Sequence, residues 1–485
     1  MIQQKNKPTA EATPSYSYSR GVQRLFQPTD AAGIAFFRVS FGCVVMWHVY
    51  YFVSRGYVDT YSTVHPNHLT FYGFEWVVPL SPMATRFLFY TMGLAGLGVA
   101  LGLFYRINII LVFLTYTYLF LVEAAMLQNH YYLTCLIAFL LCFIPANRSF
   151  SLDSLFWHQP GIVPVWCHWL LALQIAIPYF YGGIAKLNSD WLLSKPVDAM
   201  LAANSDLPLI GSYLTEPLVA MFVAWFGLLF DLLAVPLLLW RRTRLFTYAV
   251  AICFHISNSI LFDIDYFPWF MILATPILFP SNWPRRLLRL PGVKIPDAEQ
   301  QKGRPLSTRQ KMTVGLLSVY VSWQLLFPLR QFLYPGDPSW TEEGQQFAWR
   351  MMLSRKDFWI RYYVTVKSSG ETLEFPISRI YHFRQGYFIS VSPDHIVEAA
   401  HVVGDIFRRQ GIDVEVRVVS LVSLNGRKPQ LLVDPELDMT TVHRTWRHKS
   451  WIIPLTEPRR EESWSMEVNQ WPEAVGIELP QTVQF

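Results

Sequence analysis

A single lysine at the end of a long apolar segment is the side chain best placed for chemistry. Lys186 closes the stretch AIPYFYGGIAKLNSDWL directly after a glycine pair. An ammonium group resists burial, so this lysine either marks the water boundary of a membrane helix or packs against a neighbouring helix. In a packed position, loss of water disfavours the charged form, and a neutral amine can accept a proton. Both interpretations are open on this segment alone.

Several other polar residues lie in or beside apolar segments, where polar groups are costly and often functional. Each of them also has a purely structural interpretation, as a helix cap or as a hydrogen-bonded core residue. We expect these helix ends to surround one cavity together with the lysine. They are Asn129, His130, Asp231, His255, Asn258 and Asp263.

Local spacing suggests a partner for the lysine. Asp190 follows Lys186 by four residues, and residues at this spacing are neighbours on a helix. The sequence contains no phosphate-binding loop, no Gly-x-Ser-x-Gly and no metalloprotease motif, and we predict no metal site.

The composition indicates the class of protein. Of the 485 residues, 52% are hydrophobic and 15% are charged, whereas soluble domains carry about 25% charged residues. Such a chain is predicted to be mostly α-helical and to cross a membrane several times. We find no nucleic-acid-binding module and expect no nucleic-acid partner.

The hydropathy pattern predicts about nine membrane spans, followed by a small extramembrane α+β domain. The predicted organisation is a cytoplasmic tail at 1–30, a helical bundle at 31–334 and an extramembrane domain at 335–485. The predicted spans are Ala31–Val53, Arg86–Tyr105, Asn108–Leu127, Tyr131–Pro145, Val163–Lys186, Pro217–Trp240, Leu245–Phe262, Phe267–Pro280 and Lys311–Tyr334.

Positive charge predicts the orientation, because lysine and arginine accumulate in cytoplasmic loops. With nine spans and a cytoplasmic N-terminus, the basic tail, the WRRTR turn and the basic stretch 285–311 all face the cytoplasm. The protein is then expected in the cell inner membrane, with the C-terminal domain and the end of the bundle that carries Lys186 on the non-cytoplasmic side.

The polar C-terminal part shows strand and helix patterns. Residues 357–376 alternate about a Ser-Ser-Gly turn, which predicts a β-hairpin. Residues 393–410 have helical spacing, and the Asn425-Gly426 pair predicts a turn between two further strands. The stretch 333–357 is predicted to be a loop followed by a helix.

Seven motifs resemble the vitamin K-dependent γ-glutamyl carboxylases of the horizontally transferred transmembrane (HTTM) family, which has short bacterial members. The resemblance extends over residues 31–455, with the motifs in the family's order. They are TFYGFEWVVPLSP, LQNHYYLTCLIAFLLCFIPANRSFSLD, AKLNSDWL, FHISNSILFDIDYFPWFMILATPILFPSNWPR, WTEEGQQFAWRMML, VSLNGRKPQLLVDPELD and TWRHKSWIIPL.

This resemblance implies a coupled reaction. In the family a lysine deprotonates vitamin K hydroquinone, a reduced menaquinone or phylloquinone-like lipid, and oxygen converts it to an epoxide by way of a strong base. That base removes a γ-proton from a protein glutamate, and carbon dioxide traps the carbanion. Lys186 matches the catalytic lysine, and His130 matches a histidine that supports developing charge.

The resemblance also implies the surroundings of the site. Asn129, Tyr181, His255 and Asn258 are expected to bind the quinone cofactor, with O₂ and CO₂ as co-substrates. Trp340, Arg350 and Met351 are expected to pack the outer domain over the site. The implied partners are the lipid bilayer, the quinone and a secreted or periplasmic protein that carries the glutamates.

The chain differs from the animal members, which are longer, have a disulfide and bind a propeptide. The resemblance therefore leaves alternatives open. They are a quinone epoxidase without protein carboxylation, and a non-catalytic membrane protein that binds quinone or lipid.

Overall fold

A computed structural model describes residues 20–60, 67–262, 264–296 and 305–483. Most of the predicted tail at 1–30 lies outside these residues, and so does Asp263, which was expected at the cavity. The described chain is mostly helical up to about residue 333 and contains a small sheet after it. The helices are α1 (Arg20–Arg24), α2 (Ala32–Ser54), α3 (Tyr57–Thr60), α4 (Pro82–Leu101), α5 (Tyr105–Leu121), α6 (Asn129–Phe143), α7 (Leu152–Phe156), α8 (Val165–Ala185), α9 (Ser189–Leu192), α10 (Lys195–Ala202), α11 (Pro217–Leu239), α12 (Arg244–Leu261), α13 (Phe267–Ala274), α14 (Trp283–Leu287), α15 (Thr308–Leu326), α16 (Pro338–Thr341), α17 (Phe383–Val391), α18 (Pro393–Arg408) and α19 (Trp471–Ala474).

Each predicted span corresponds to a helix, but the predicted number of nine membrane crossings is not confirmed. Within the described ranges, five helices are long and apolar enough to cross a bilayer. Three further apolar helices are shorter than a span requires. The five long ones are α2, α4, α11, α12 and the helix that begins as α15 and continues to Leu333.

The ends of α4 show how local chemistry sets a helix boundary. The Ser81 hydroxyl accepts a hydrogen bond from the Ala84 amide, and Pro82 occupies the first turn, where its missing N–H is not needed. Gly102 ends the helix in the left-handed conformation at φ 62°. The helix therefore begins and ends four residues earlier than the span predicted from hydropathy.

The C-terminal part contains a four-stranded antiparallel sheet with strand order β4-β3-β5-β6. The predicted hairpin, the predicted helix α18 and the predicted strand pair are confirmed. Asn425 and Gly426, which follow β5, both have positive φ, as expected of this pair. A separate two-stranded sheet joins β1 and β2. The strands are β1 (Pro28–Asp30), β2 (Ile162–Pro164), β3 (Lys356–Val366), β4 (Thr372–Phe375), β5 (Val414–Leu424) and β6 (Gln430–Leu431).

The helix predicted within 333–357 is wrong. After the short α16 the chain runs through turns up to β3. Four residues other than glycine in this stretch adopt a left-handed backbone, which interrupts an α-helix. They are Glu342, Phe347, Trp349 and Met352.

Basic residues collect at one end of the helical bundle. Arg106 and Arg244 lie in the first turns of α5 and α12, Arg148 lies in the connection after α6, and Arg285 lies on α14. These helices reach the same end as the N-terminus of α8, whereas Lys186 follows the C-terminus of α8. The basic end and the lysine therefore lie at opposite faces of the bundle.

The C-terminal part is joined to the loop before α4 by a buried carboxylate. Glu398 accepts hydrogen bonds from the Thr70 amide (2.9 Å) and hydroxyl (2.6 Å), and Arg444 lies 3.2 Å away. Burial raises the pKa of Glu398 to about 7, against the opposing effect of Arg444. Burial also lowers the pKa of His395, whose Nε2 is 4.0 Å from the carboxylate, to about 3.

These two groups predict opposite dependences of stability on pH. Glu398 binds its proton more tightly in the folded protein, so its contribution to stability is lost as the pH rises from about 4.5 to about 7. Neutral burial of His395 costs stability below its unfolded pKa of about 6.5.

In an E398Q variant, only the effect of His395 on the pH dependence of stability remains. We expect the difference in Tm, variant minus parent, to rise with pH across this window in thermal scans; a constant difference would contradict the assignment.

Candidate functional site

A pair of glycines brings α8 and α11 into close contact beside Lys186. A Cβ at Gly183 would lie 2.6 Å from Cδ2 of Leu232 and 3.1 Å from its backbone nitrogen. A Cβ at Gly182 would lie 3.2 Å from Oδ2 of Asp231. Only a residue without a side chain permits this approach, and the packed interpretation of the lysine therefore agrees with the structure.

Lys186 is buried, and its partner is Asp231 on α11. The Nζ lies 2.5 Å from Oδ2 of Asp231 and 3.3 Å from the Gly182 carbonyl oxygen. Both side chains are more than nine-tenths shielded. The predicted pairing with Asp190 is wrong, because α8 ends at Ala185 and the chain turns before Asp190.

Asp190 instead holds the C-terminal part of the chain. Its two oxygens accept hydrogen bonds from Nη1 (2.7 Å) and Nη2 (2.8 Å) of Arg427, and Asn425 donates a third at 2.7 Å. Arg459 lies 3.1 Å away. Burial acts to raise the pKa of Asp190, but the hydrogen bonds from Arg427 and Asn425 outweigh it, so the pKa lies below its usual value.

Lys186 and Asp231 line a mostly apolar cavity of about 120 Å³ between α8, α10, α11, α12 and α13. His255 and Asn258 line the same cavity, so three of the six predicted site residues meet there. The Nζ lies 5.1 Å from the centre of the Trp191 ring. The apolar walls include Phe254, Phe262, Phe267, Met271, Met351 and Met352.

A tyrosine that sequence reasoning missed orients His255. The Tyr179 hydroxyl lies 2.8 Å from Nε2 of His255 and 3.1 Å from the Thr275 hydroxyl. Nδ1 of His255 is buried and has no hydrogen-bond partner among the described residues. His255 lines the cavity, and this unpaired nitrogen is one of the polar atoms of that residue.

His130 does not line the cavity. Its ring lies 5.5 Å from Phe267 and 5.0 Å from Tyr266, and Phe267 in turn lies 6.2 Å from the ring of His255. Phe267 is thus the cavity wall nearest to this histidine. Nε2 of His130 is buried and unpaired among the described residues.

The two remaining predicted site residues lie elsewhere. The Asn129 side chain donates to the Arg350 carbonyl at 2.9 Å and borders a separate polar cleft of about 220 Å³. The Tyr181 hydroxyl donates to the Leu325 carbonyl oxygen. In this structure Asn129 joins α6 to the segment 342–355 between α16 and β3, which we call the outer segment, and Tyr181 joins α8 to α15.

The outer segment closes the cavity through its methionines. Met351 lies within reach of Gly182, with its Cε 3.1 Å from the position of a Cβ there. Met351 thus packs over the site as expected, while Arg350 borders the polar cleft and Trp340 donates to the Ile453 carbonyl at 2.8 Å. Within the described residues, no group of three or more His, Cys, Asp or Glu side chains is arranged to hold a metal ion.

Two family profiles match the chain, one after the other. Residues 26–283, more than half of the chain, match the HTTM domain. Residues 309–458 match the lumenal domain of vitamin K-dependent gamma-carboxylase. The two matches cover the helical bundle and the C-terminal sheet. No solved structure matches the chain.

Proposed function

Because the chain belongs to the HTTM and vitamin K-dependent gamma-carboxylase family, we propose that it is an integral membrane enzyme that oxygenates vitamin K hydroquinone to its epoxide and thereby γ-carboxylates protein glutamate. The observation that carries the proposal is the buried Lys186–Asp231 pair in an apolar cavity. When bound, the hydroquinone supplies the reduced ring that reacts with O₂ and the base strength that allows CO₂ to be added to glutamate.

The role we assign to Lys186 is removal of a hydroquinone hydroxyl proton. This requires an amine with a free lone pair, and Asp231 supports it by carrying the proton that the pair shares. After transfer the pair holds one more proton than before: the lysine is an ammonium beside the protonated Asp231, and the hydroquinone anion is its counter-charge. In a site that excludes water, such pairing avoids an isolated buried charge.

The residues present fit a quinone ring in chemistry, and the cavity fits it partly in size. Aromatic and methionine walls suit a flat apolar ring, and Nδ1 of His255 and the Asn258 side chain offer polar contacts. An apolar cavity of about 150 Å³ holds benzene, so the cavity of about 120 Å³ is close to one ring in size. A two-ring head group therefore requires Met271, Met351 or Met352 to move, and methionine is the most adaptable apolar side chain.

The distribution of charge supports the orientation that we propose. The basic end of the bundle is expected on the cytoplasmic side, which places Lys186 and the C-terminal domain on the other side. A secreted or periplasmic protein with glutamates would then reach the site without crossing the membrane.

The test measures both products on one preparation. Full-length protein in detergent receives reduced vitamin K, O₂, CO₂ and a glutamate-containing peptide, and the epoxide and the mass gain of the peptide are followed together. Both products are expected. Formation of the epoxide without carboxylated peptide would reduce the function to quinone epoxidation. The absence of both products would overturn the proposal.

Asp231→Asn tests the partner of the lysine. The amide keeps the size of the side chain but cannot carry the shared proton, so the proton stays on the lysine, which then has no free lone pair. Removing one member of a buried pair costs about 3–5 kcal/mol, and we expect epoxide formation to fall at least about a hundredfold with little change in quinone KM. The matched control is Asp198→Asn on α10, which pairs with Lys195 and does not line the cavity. Parent-like activity of D231N would remove Asp231 from the mechanism.

A further inference from the structure

The basic end of the bundle contains an open cleft larger than the lysine cavity. It has a volume of about 750 Å³ and is formed where α2, α4, α7 and α14 meet. Polar residues of the connection after α6 and of the α7 region line one side of it. They are Arg148, Ser149, Ser151, Ser154 and Gln159, together with Arg285 from α14.

The two guanidinium groups leave this cleft positively charged. Arg285 lies 3.0 Å from Asp30, donates to the Ser149 hydroxyl at 2.8 Å and lies over the Phe150 ring. Arg148 donates through Nη1 to the Ile162 carbonyl at 3.2 Å. Within the described part of the chain, no carboxylate lies within 4.0 Å of Arg148. Asp30 therefore neutralises the charge of Arg285, whereas the Arg148 guanidinium keeps further N–H donors for a ligand in the cleft.

Apolar side chains surround the cleft on the bilayer side. Leu101 and Leu155 line it and are exposed, and Phe104, Phe156 and Trp157 are exposed beside it. Tryptophan is enriched at membrane–water boundaries. A free anion would contact Arg148 alone, whereas an anionic lipid would bind Arg148 through its head group and contact these apolar side chains through its acyl chains.

We infer that this cleft binds the phosphate head group of an anionic phospholipid, with the acyl chains against the exposed apolar side chains. Basic pockets between helices on the cytoplasmic side are suited to such head groups. Arg148 supplies the charged donors, Ser154 and Gln159 supply further polar contacts, and Leu101 and Leu155 contact the chains. The site lies at the opposite face from Lys186, so it is separate from the proposed reaction.

The test compares lipids by thermal unfolding of the full-length protein in detergent. The probes are phosphatidylglycerol, phosphatidylcholine with the same acyl chains, and inorganic phosphate. We expect phosphatidylglycerol alone to raise the Tm. In R148Q the concentration that gives half of this shift should rise at least about tenfold, because a hydrogen bond to a charged group contributes roughly that much. R241Q, at the same end of the bundle and outside the cleft, should match the parent.

Three outcomes would overturn the inference. Equal protection by phosphatidylcholine would remove the role of charge, and equal protection by inorganic phosphate would make the cleft a site for free anions. An unchanged response of R148Q would remove Arg148 from the site. If R148Q does not fold, Q159E places a negative charge at the same cleft, and its phosphatidylglycerol response must weaken in the same way.

Discussion

Replacing Lys186 by alanine is expected to slow epoxide formation by about 10²–10⁴-fold, the usual contribution of a general base. The amine is buried, lies 2.5 Å from Asp231 and lines the cavity proposed for the quinone. No other lysine lines that cavity among the described residues. Epoxide formation by purified protein under single-turnover conditions measures the effect, and carboxylation of a peptide should fall with it.

The control for this variant is Lys195→Ala. Lys195 is also a lysine near the end of α8, but it pairs with Asp198 and contacts the Glu461 carbonyl instead of the cavity. We expect near-parent rates for K195A. Lys186→Arg keeps a permanent positive charge and should be as inactive as K186A, because arginine does not accept a proton. A K186A protein that keeps the parent rate would eliminate the lysine as the base.

The second large effect is expected from Arg427→Ala. Asp190 and Arg427 are both buried and joined by two hydrogen bonds, so truncation leaves a buried carboxylate without its main partner. Loss of one member of a buried ion pair costs about 3–5 kcal/mol. We expect this loss in the thermal stability of the C-terminal part and faster proteolytic cleavage between the two parts of the chain.

Two further variants separate the ion pair from surface charge. Arg417→Ala removes an exposed arginine of β5 that pairs with Glu436 in the turn after β6, and such pairs contribute about 0–1 kcal/mol. The double variant with Asp190→Ala and Arg427→Ala should lose less than R427A alone, because no uncompensated charge remains buried. Equal losses for R417A and R427A would contradict the role of the buried pair.

The helices, the hairpin and α18 were predictable because their signals are local. Hydropathy marks the helices, and alternation about a turn marks β3 and β4. The helix expected within 333–357 failed for a tertiary reason. The residues are reasonable helix formers, but Glu343 is held by His448 and the Lys449 amide, and four left-handed residues bend the chain between the cavity and the polar cleft. No local sequence pattern predicts contacts between residues this far apart along the chain.

The site was predictable in its main residue and not in its partner. The glycine pair before Lys186 indicates close helix packing, and the structure has it. Asp231 is 45 residues away along the chain, and only the packing of α8 on α11 shows that it, rather than the nearby Asp190, meets the lysine. The aromatic wall between His130 and the cavity follows likewise from the three-dimensional arrangement of α6 and α13.

Asp190 lies only four positions after Lys186, yet Lys186 lines the cavity of the helical bundle whereas Asp190 accepts hydrogen bonds from Arg427 of the C-terminal part. Hydrogen bonds hold the segment around these two residues in place. The Asn188 side chain accepts a hydrogen bond from the Trp191 amide at the start of α9, and the Trp191 indole donates to the Ala224 carbonyl. We therefore expect a displacement of Arg427 either to move Lys186 or to break the ion pair with Asp190. The C-terminal part and the lysine of the cavity are linked through this short segment of the chain.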